Sequence, residues 1–114
     1  MTRAPKPGHQ VRGSTTGRPI MAALDLLGRR WALRLLWELR DGPLGARQLK
    51  ARADDVSSSV LYIRLGELVD AGLIRQTDDR SYELTTIGGQ LGEAIAPLDA
   101  WAGRWARAQV RARR

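Results

Sequence analysis

The chain is short, basic and free of cysteine. It has 114 residues, a formal charge of +7 and no cysteine, which excludes disulfides and thiolate metal sites and leaves room for one small domain. No stretch approaches the ~18 apolar residues of a membrane helix, and no apolar run follows the first basic residues as in a secretory signal. We therefore predict a soluble, cytoplasmic protein without a membrane partner, a metal or a cofactor.

The positive charge lies mainly near the two ends of the chain. Residues 1–18 carry +4, residues 103–114 carry +5 and residues 19–102 carry −2. Residues 1–18 are rich in Gly, Pro, Ser and Thr, so we predict a disordered basic N-terminal tail there. We predict the domain at residues 19–107 and a basic C-terminal tail at 108–114. Since the central part is nearly neutral, charge alone is weak evidence for nucleic-acid binding.

Two helices open the predicted domain. The first begins near Pro19 and stops at Gly28; its apolar positions at helical spacing are Ile20, Ala23, Leu24 and Leu27. The second stops at Gly42-Pro43; its apolar positions are Trp31, Leu35, Leu36 and Leu39. We interpret Trp31 and Trp37 as core residues.

A short helix, a turn and a longer helix follow. The short helix turns Ala46, Leu49 and Ala53 inward. Ser57 is a good N-cap for the longer helix. At about 100° per residue, one edge of the longer helix carries the apolar positions Leu61, Leu65, Leu68 and Val69, whereas the opposite side carries Ser58, Ser59, Tyr62, Ile63 and Gly66.

A hairpin and a long helix complete the predicted order. The runs "LIRQT" and "SYELT" favour β-strands around the polar triplet "DDR". Thr85 caps the last helix, in which Pro97 predicts a kink or a split into two. The apolar positions of this helix alternate four and three apart, as in a heptad seam: Ile87, Leu91, Ala94, Leu98, Trp101 and Trp105.

This order predicts a mainly α fold with a small β-hairpin, the winged helix-turn-helix. In that fold the second helix of the pair enters the DNA major groove, and the hairpin lies against the backbone or the minor groove.

Several segments resemble the HxlR-type transcriptional regulators of bacteria. They are "LDLLGRRW" with "LLWEL", then "LGARQL" with "VSSSVLYIRLGELVDAGLI", and finally "YELTTIG". The resemblance runs from about Pro19 to Trp105 and implies a homodimeric DNA-binding repressor or activator. Three features depart from the family. Arg18 stands where many members have a cysteine, which some use to sense reactive compounds. The wing is cut to "TDDR", and fewer cations occupy the recognition positions.

Hydroxyl groups at the start of a helix can donate to phosphate oxygens beside the free backbone N–H groups. The resemblance adds phosphate contacts from the preceding helix and the wing. We predict DNA contacts from Arg47, Gln48, Ser57, Ser58, Ser59, Tyr62, Ile63, Arg64 and Arg80. Alternative interpretations without a DNA contact stay open for several of these residues. Ser57 can be a simple cap, Ser58 and Ser59 solvated residues, and Tyr62 packed on its own helix. Arg64 lies towards the inner side of the helix, where it more readily reaches a backbone group or a neighbouring acid than a base; Arg47 can pair with a surface acid, and Arg80 can be an ordinary hairpin charge.

Trp101 and Trp105 lie one helical turn apart, and two exposed tryptophans would be an unfavourable apolar surface for a monomer. We therefore predict a homodimer through the terminal helices, with an interface at Ile20, Leu24, Leu91, Ile95, Leu98, Trp101 and Trp105. Alternatively, the tryptophans fold back on the protein's own first helix. A small aromatic effector, not identified by the sequence, could occupy a cavity between subunits lined by Trp101, Trp105 and Met21.

The predicted function is a sequence-specific transcriptional regulator, a repressor that binds an inverted-repeat operator as a homodimer. The alternative is a winged-helix adaptor for protein contacts that has lost DNA binding. We do not predict an enzyme: the one histidine, His9, lies in the predicted tail, and "GGQLGE" lacks the spacing of a dinucleotide loop.

Overall fold

The computed structural model describes residues 3–113 and is mainly helical. Its elements are α1 (Pro19–Leu27), α2 (Ala32–Glu38), a 3₁₀ turn (Leu39–Asp41), α3 (Ala46–Arg52), α4 (Ser58–Asp70), β1 (Ile74–Gln76), β2 (Tyr82–Leu84) and α5 (Thr86–Ala112). This order confirms the predicted winged helix-turn-helix, with α3 and α4 as the helix pair and the β1–β2 hairpin as the wing.

Side-chain caps fix the starts of the two longest helices. The Ser57 hydroxyl accepts a hydrogen bond from the Val60 N–H at 3.3 Å, and the Thr85 hydroxyl accepts one from the Gly88 N–H at 3.1 Å. Each cap satisfies a backbone donor that has no partner within the helix. A Cβ atom at Gly88 would collide with the Leu73 carbonyl, so glycine lets α5 begin close against the connection between α4 and β1.

The core lies between α2, α3, α4 and the hairpin. Its most deeply buried side chains are Leu35, Leu39, Leu49, Leu61, Leu65, Leu68 and Ile74. The predicted inward edge of α4 is confirmed for its three leucines. The prediction for Val69 is wrong: this side chain is 43% exposed, because it lies at the margin of the edge, about 80° from Leu61 around the helix.

The hairpin is antiparallel, and Arg75 pairs with Glu83 at its centre. Tyr82 also pairs with Leu44 through two backbone hydrogen bonds of 2.8 and 3.0 Å. The segment before α3 is thereby attached to the wing. Burial raises the pKa of the Tyr82 phenol, with a further contribution from Tyr62.

Helix α5 is one continuous element of 27 residues with Pro97 inside it. A split at Pro97 is therefore wrong, whereas the alternative, a kink at Pro97, stays a prediction. The helix also includes most of the expected C-terminal tail. Within residues 3–113, no helix combines the length and the apolar character required to traverse a bilayer.

The segment before α1 differs from the expectation of a disordered tail. Two carboxylates of the folded domain accept hydrogen bonds from its backbone: Asp70 from the Ala4 N–H at 2.8 Å and Asp25 from the Arg12 N–H at 3.1 Å. The segment also closes on itself where the Gly8 N–H donates to the Gly17 carbonyl at 2.9 Å. These polar anchors act together with Ala4, which packs against the core, and composition reveals neither.

Candidate nucleic-acid interface

The outer side of α4 is exposed along its N-terminal half. Ser58 and Ser59 are exposed, and Tyr62 and Ile63 are 57% and 48% exposed. The Ser57 hydroxyl caps the helix and lies 3.5 Å from the Ser59 hydroxyl. Because the opposite edge of α4 is buried, the helix presents hydroxyl groups, one phenol and one branched apolar side chain to the outside.

An open groove lies beside this side of α4, between α3 and the wing. It brings together four of the predicted contact residues, Arg47, Gln48, Tyr62 and Arg80. The Gln48 side-chain oxygen accepts a hydrogen bond from the Gly45 N–H at 2.9 Å. Gln48 therefore caps α3, and its amide NH₂ group keeps donors for a ligand.

The tip of the wing exposes Arg80 and uses a neighbouring carboxylate internally. Asp79 accepts hydrogen bonds from the Thr77 hydroxyl and from the Ser81 N–H at 3.3 Å, and these bonds hold the pKa of its carboxyl below the usual value. Arg80 itself has φ +67°, a left-handed conformation that is uncommon outside glycine. The Asp79 carboxylate thus closes the turn that carries Arg80.

A second arginine of the wing, Arg75, was not among the predicted DNA contacts. Arg75 on β1 donates to Glu83 on β2 at 2.9 Å, and its side chain remains 65% exposed. The hairpin register puts the two side chains opposite each other, and a register cannot be read from composition.

Hydrogen bonds within the protein hold the Arg64 side chain away from the other predicted DNA contacts. Its Nε donates to the Arg30 carbonyl at 2.7 Å, and a terminal nitrogen donates to Glu67 at 2.6 Å. The side chain is 22% exposed. These bonds direct the guanidinium group towards the α1–α2 connection, so the DNA contacts proposed below do not include it.

Glu67 is a buried charge that the sequence analysis missed. It is 3% exposed, and its carboxylate accepts hydrogen bonds from Arg64 on α4 and from Arg29 in the α1–α2 connection. A buried charge needs such partners. The only local signal is Arg64 one turn earlier in α4, whereas Arg29 is 38 residues away.

Exposed apolar side chains on α1 and on α5 account for most of the predicted dimer residues. Ile20 and Leu24 are 57% and 53% exposed. On α5, Trp101 and Trp105 stack with ring centroids 5.5 Å apart and remain 48% and 55% exposed, beside Leu98 at 47%. The tryptophans are therefore not buried against the protein's own first helix.

The other residues connected with the predicted dimer partly serve their own protomer. Leu91 packs against the core, and Ile95 lines a groove with Leu33 and Trp37 of α2. Met21 lies against Gly13 of the N-terminal segment. A cavity formed by Met21 and the two tryptophans across two subunits stays a prediction.

The model of the HxlR-like helix-turn-helix family matches residues 26–110. The chain belongs to this family. It is 29% identical over 89 residues to the uncharacterized HTH-type transcriptional regulator YvaP of Bacillus subtilis, covering 73% of this chain and 82% of YvaP. It is 33% identical over 103 residues to the uncharacterized HTH-type transcriptional regulator Rv3095 of Mycobacterium tuberculosis, covering 85% of this chain and 62% of Rv3095. The chain thus spans less than two thirds of the mycobacterial relative.

Solved structures share this fold. The quinone-bound YodB of B. subtilis matches with a TM-score of 0.69 and 28% identity, covering 75% of this chain and 94% of YodB. A putative MarR-family transcriptional regulator of Enterococcus faecalis matches with a TM-score of 0.70 and 28% identity, covering 81% of this chain and 89% of that one. This HxlR-like protein is therefore a transcriptional regulator of the helix-turn-helix type.

Proposed function

We propose that the protein is a sequence-specific DNA-binding repressor that acts as a homodimer on an inverted-repeat operator in the bacterial cytoplasm. One observation carries the proposal: the Ser59–Tyr62 side of α4 is exposed next to a groove with arginines on both sides, while the opposite edge is buried in the core. An α-helix with one exposed side fits the major groove.

The proposed contacts divide into positioning and readout. Ser58, Ser59 and the free backbone N–H groups at the start of α4 donate to phosphate oxygens, assisted by the positive end of the helix dipole. Arg47 and Arg80 bind phosphates on the two sides of the groove. Ile63 provides an apolar contact for a thymine methyl group. Few cations contact the phosphates, so the sequence-independent part of the affinity is small. Specificity depends on how closely α4 approaches the bases.

Dimerisation through the exposed α1 and α5 surface would cover Ile20, Leu24, Trp101 and Trp105. A two-fold axis would repeat the recognition helix about 34 Å away, one turn of DNA, and thereby predicts the inverted repeat. Binding across a promoter would block transcription without any chemical step, so the proposal includes no enzymatic activity. The likeness to quinone-bound YodB supports a small-molecule effector, whose aromatic character stays a prediction from the sequence.

The salt dependence of binding tests the proposal. Fluorescence anisotropy with a labelled duplex from the adjacent intergenic region should give an affinity that falls with salt, with a log–log slope of several units, because phosphate contacts release counterions. A scrambled duplex of the same length is the control for specificity. Flat binding, or no binding to any duplex, would contradict the proposal and favour the adaptor.

Truncation of one tryptophan tests the dimer. Trp105→Ala removes an exposed ring that stacks on Trp101 and should shift the protein towards monomer in sedimentation velocity by roughly tenfold in dissociation constant or more. Trp31→Ala, in the α1–α2 connection, is the control, because Trp31 packs against the core and its loss should alter the melting temperature more than the assembly. A dimer unchanged by Trp105→Ala would place the interface elsewhere.

A further inference from the structure

An apolar cavity of about 430 Å³ lies beneath the N-terminal segment, within a single protomer. Its walls come from α1, from the connection between α4 and β1, and from the start of α5. Representative lining residues are Pro5, Pro7, Ala23, Leu27, Leu73 and Leu91. Cavities of 300–1,000 Å³ with mainly apolar walls are typical of small-molecule sites.

Residues Ala4–Pro7 form a strap that covers one side of this cavity. The strap is attached to Asp70, whose two carboxylate oxygens accept hydrogen bonds from the Ala4 N–H at 2.8 Å and from the Lys6 ammonium at 3.1 Å. The hydrogen bond from the Ala4 N–H is the main cause of a lowered pKa of the Asp70 carboxyl, and the bond from Lys6 lowers this pKa further. Two prolines restrict the backbone of the strap, so closing it over a ligand costs little conformational entropy.

We propose that this cavity binds a small, uncharged, apolar molecule beneath the strap. The two polar side chains that line it are Lys6 and Gln90, and the Lys6 ammonium is already paired with Asp70. A charged ligand would lose its hydration without gaining a partner, whereas an apolar one would bury its surface favourably. The further suggestion that such a molecule is the effector rests on the proposed function.

The position of the strap connects this site with α4. Asp70 is the last residue of the recognition helix, so the group that holds the strap closed belongs to the helix proposed to enter DNA.

A second copy of the chain is the competing occupant of the cavity. However, the side of α1 that lines the cavity is centred about 110° from Ile20 and Leu24, and the two sides meet where Leu27 lies about 20° from Ile20. A partner could therefore cover them and leave the strap in place.

Titration of the intact protein with N-phenyl-1-naphthylamine, a neutral apolar fluorophore, tests the site in the absence of DNA. Saturable fluorescence enhancement is expected. Ala23→Phe should fill the cavity from α1 and weaken the affinity for the probe about tenfold or more. Ala100→Phe is the matched control, because Ala100 is exposed on α5 and does not line the cavity. Wild-type affinity in Ala23→Phe would overturn the proposal.

A second variant covers the case in which Ala23→Phe fails to fold. Ile87 lies at the rim of the cavity and is 56% exposed, so Ile87→Glu should keep the fold and weaken the affinity for the probe by a similar factor. Loss of probe binding in Trp105→Ala instead would assign the probe to the tryptophan surface and overturn the proposal. A dimer dissociated by Ala23→Phe, with probe binding unchanged, would assign the cavity to the subunit interface and also overturn it.

DNA binding by the wild-type protein separates this inference from the proposed function. Probe binding that is absent, while the operator duplex is bound with the expected salt dependence, overturns the cavity site alone. Probe binding that is present and sensitive to Ala23→Phe, without DNA binding, supports the cavity site and contradicts the proposed function.

Discussion

Ser59→Glu should weaken binding to the operator duplex at least about 100-fold, because it brings a carboxylate to the phosphates in both subunits of the dimer. Ser59 is exposed and lies in the first turn of α4, where the helix dipole stabilises a negative charge. The melting temperature should therefore stay the same or rise slightly. Fluorescence anisotropy and thermal circular dichroism measure the two effects separately.

Two controls identify the cause of this loss. Ser59→Ala removes the hydroxyl without adding charge and should cost about tenfold in affinity, because the dimer loses one phosphate hydrogen bond in each subunit. Thr86→Glu puts the same charge in the first turn of α5, outside the residues that line the groove, and should leave affinity nearly unchanged. Wild-type binding by Ser59→Glu would show that a different side of the protein contacts DNA.

Features encoded by neighbouring residues were predictable from the sequence. The leucine spacing in α4 gave the buried edge, and Ser57 and Thr85 marked the starts of two helices because their hydroxyl groups cap donors only three residues away. The exposure of Ser59 and Tyr62 followed from the same helical period. Such signals need only the local backbone geometry.

Features that depend on distant residues were not predictable. The N-terminal segment is held by Asp70, 66 residues from Ala4, and its composition alone indicated disorder. The inner position of Arg64 on the helical wheel predicted a backbone or acidic partner, but the sequence could not show that one partner is the Arg30 carbonyl, 34 residues away. Pro97 removes one hydrogen bond, but the sequence could not show that the surrounding turns of α5 would stay helical.

Glu67→Ala should lower the free energy of unfolding by about 3 kcal/mol, because it leaves two guanidinium groups, those of Arg29 and Arg64, without their shared carboxylate. The value lies at the low end for a buried pair, since the arginine side chains are 32% and 22% exposed. For a domain of this size the melting temperature should fall by roughly 10–20 °C. DNA affinity should fall as well, since the network attaches α4 to the α1–α2 connection.

Glu83→Ala is the matched control for this prediction, because it removes a glutamate from an exposed ion pair with Arg75 and should cost less than about 1 kcal/mol. Glu67→Gln keeps a hydrogen-bond acceptor, so its loss of stability should lie between those of Glu67→Ala and Glu83→Ala. The Arg64→Ala/Glu67→Ala double mutant should be less destabilised than the two single changes together, because the lost partners are shared. Equal effects of Glu67→Ala and Glu83→Ala in urea denaturation would mean that the buried carboxylate does not hold the recognition helix in place.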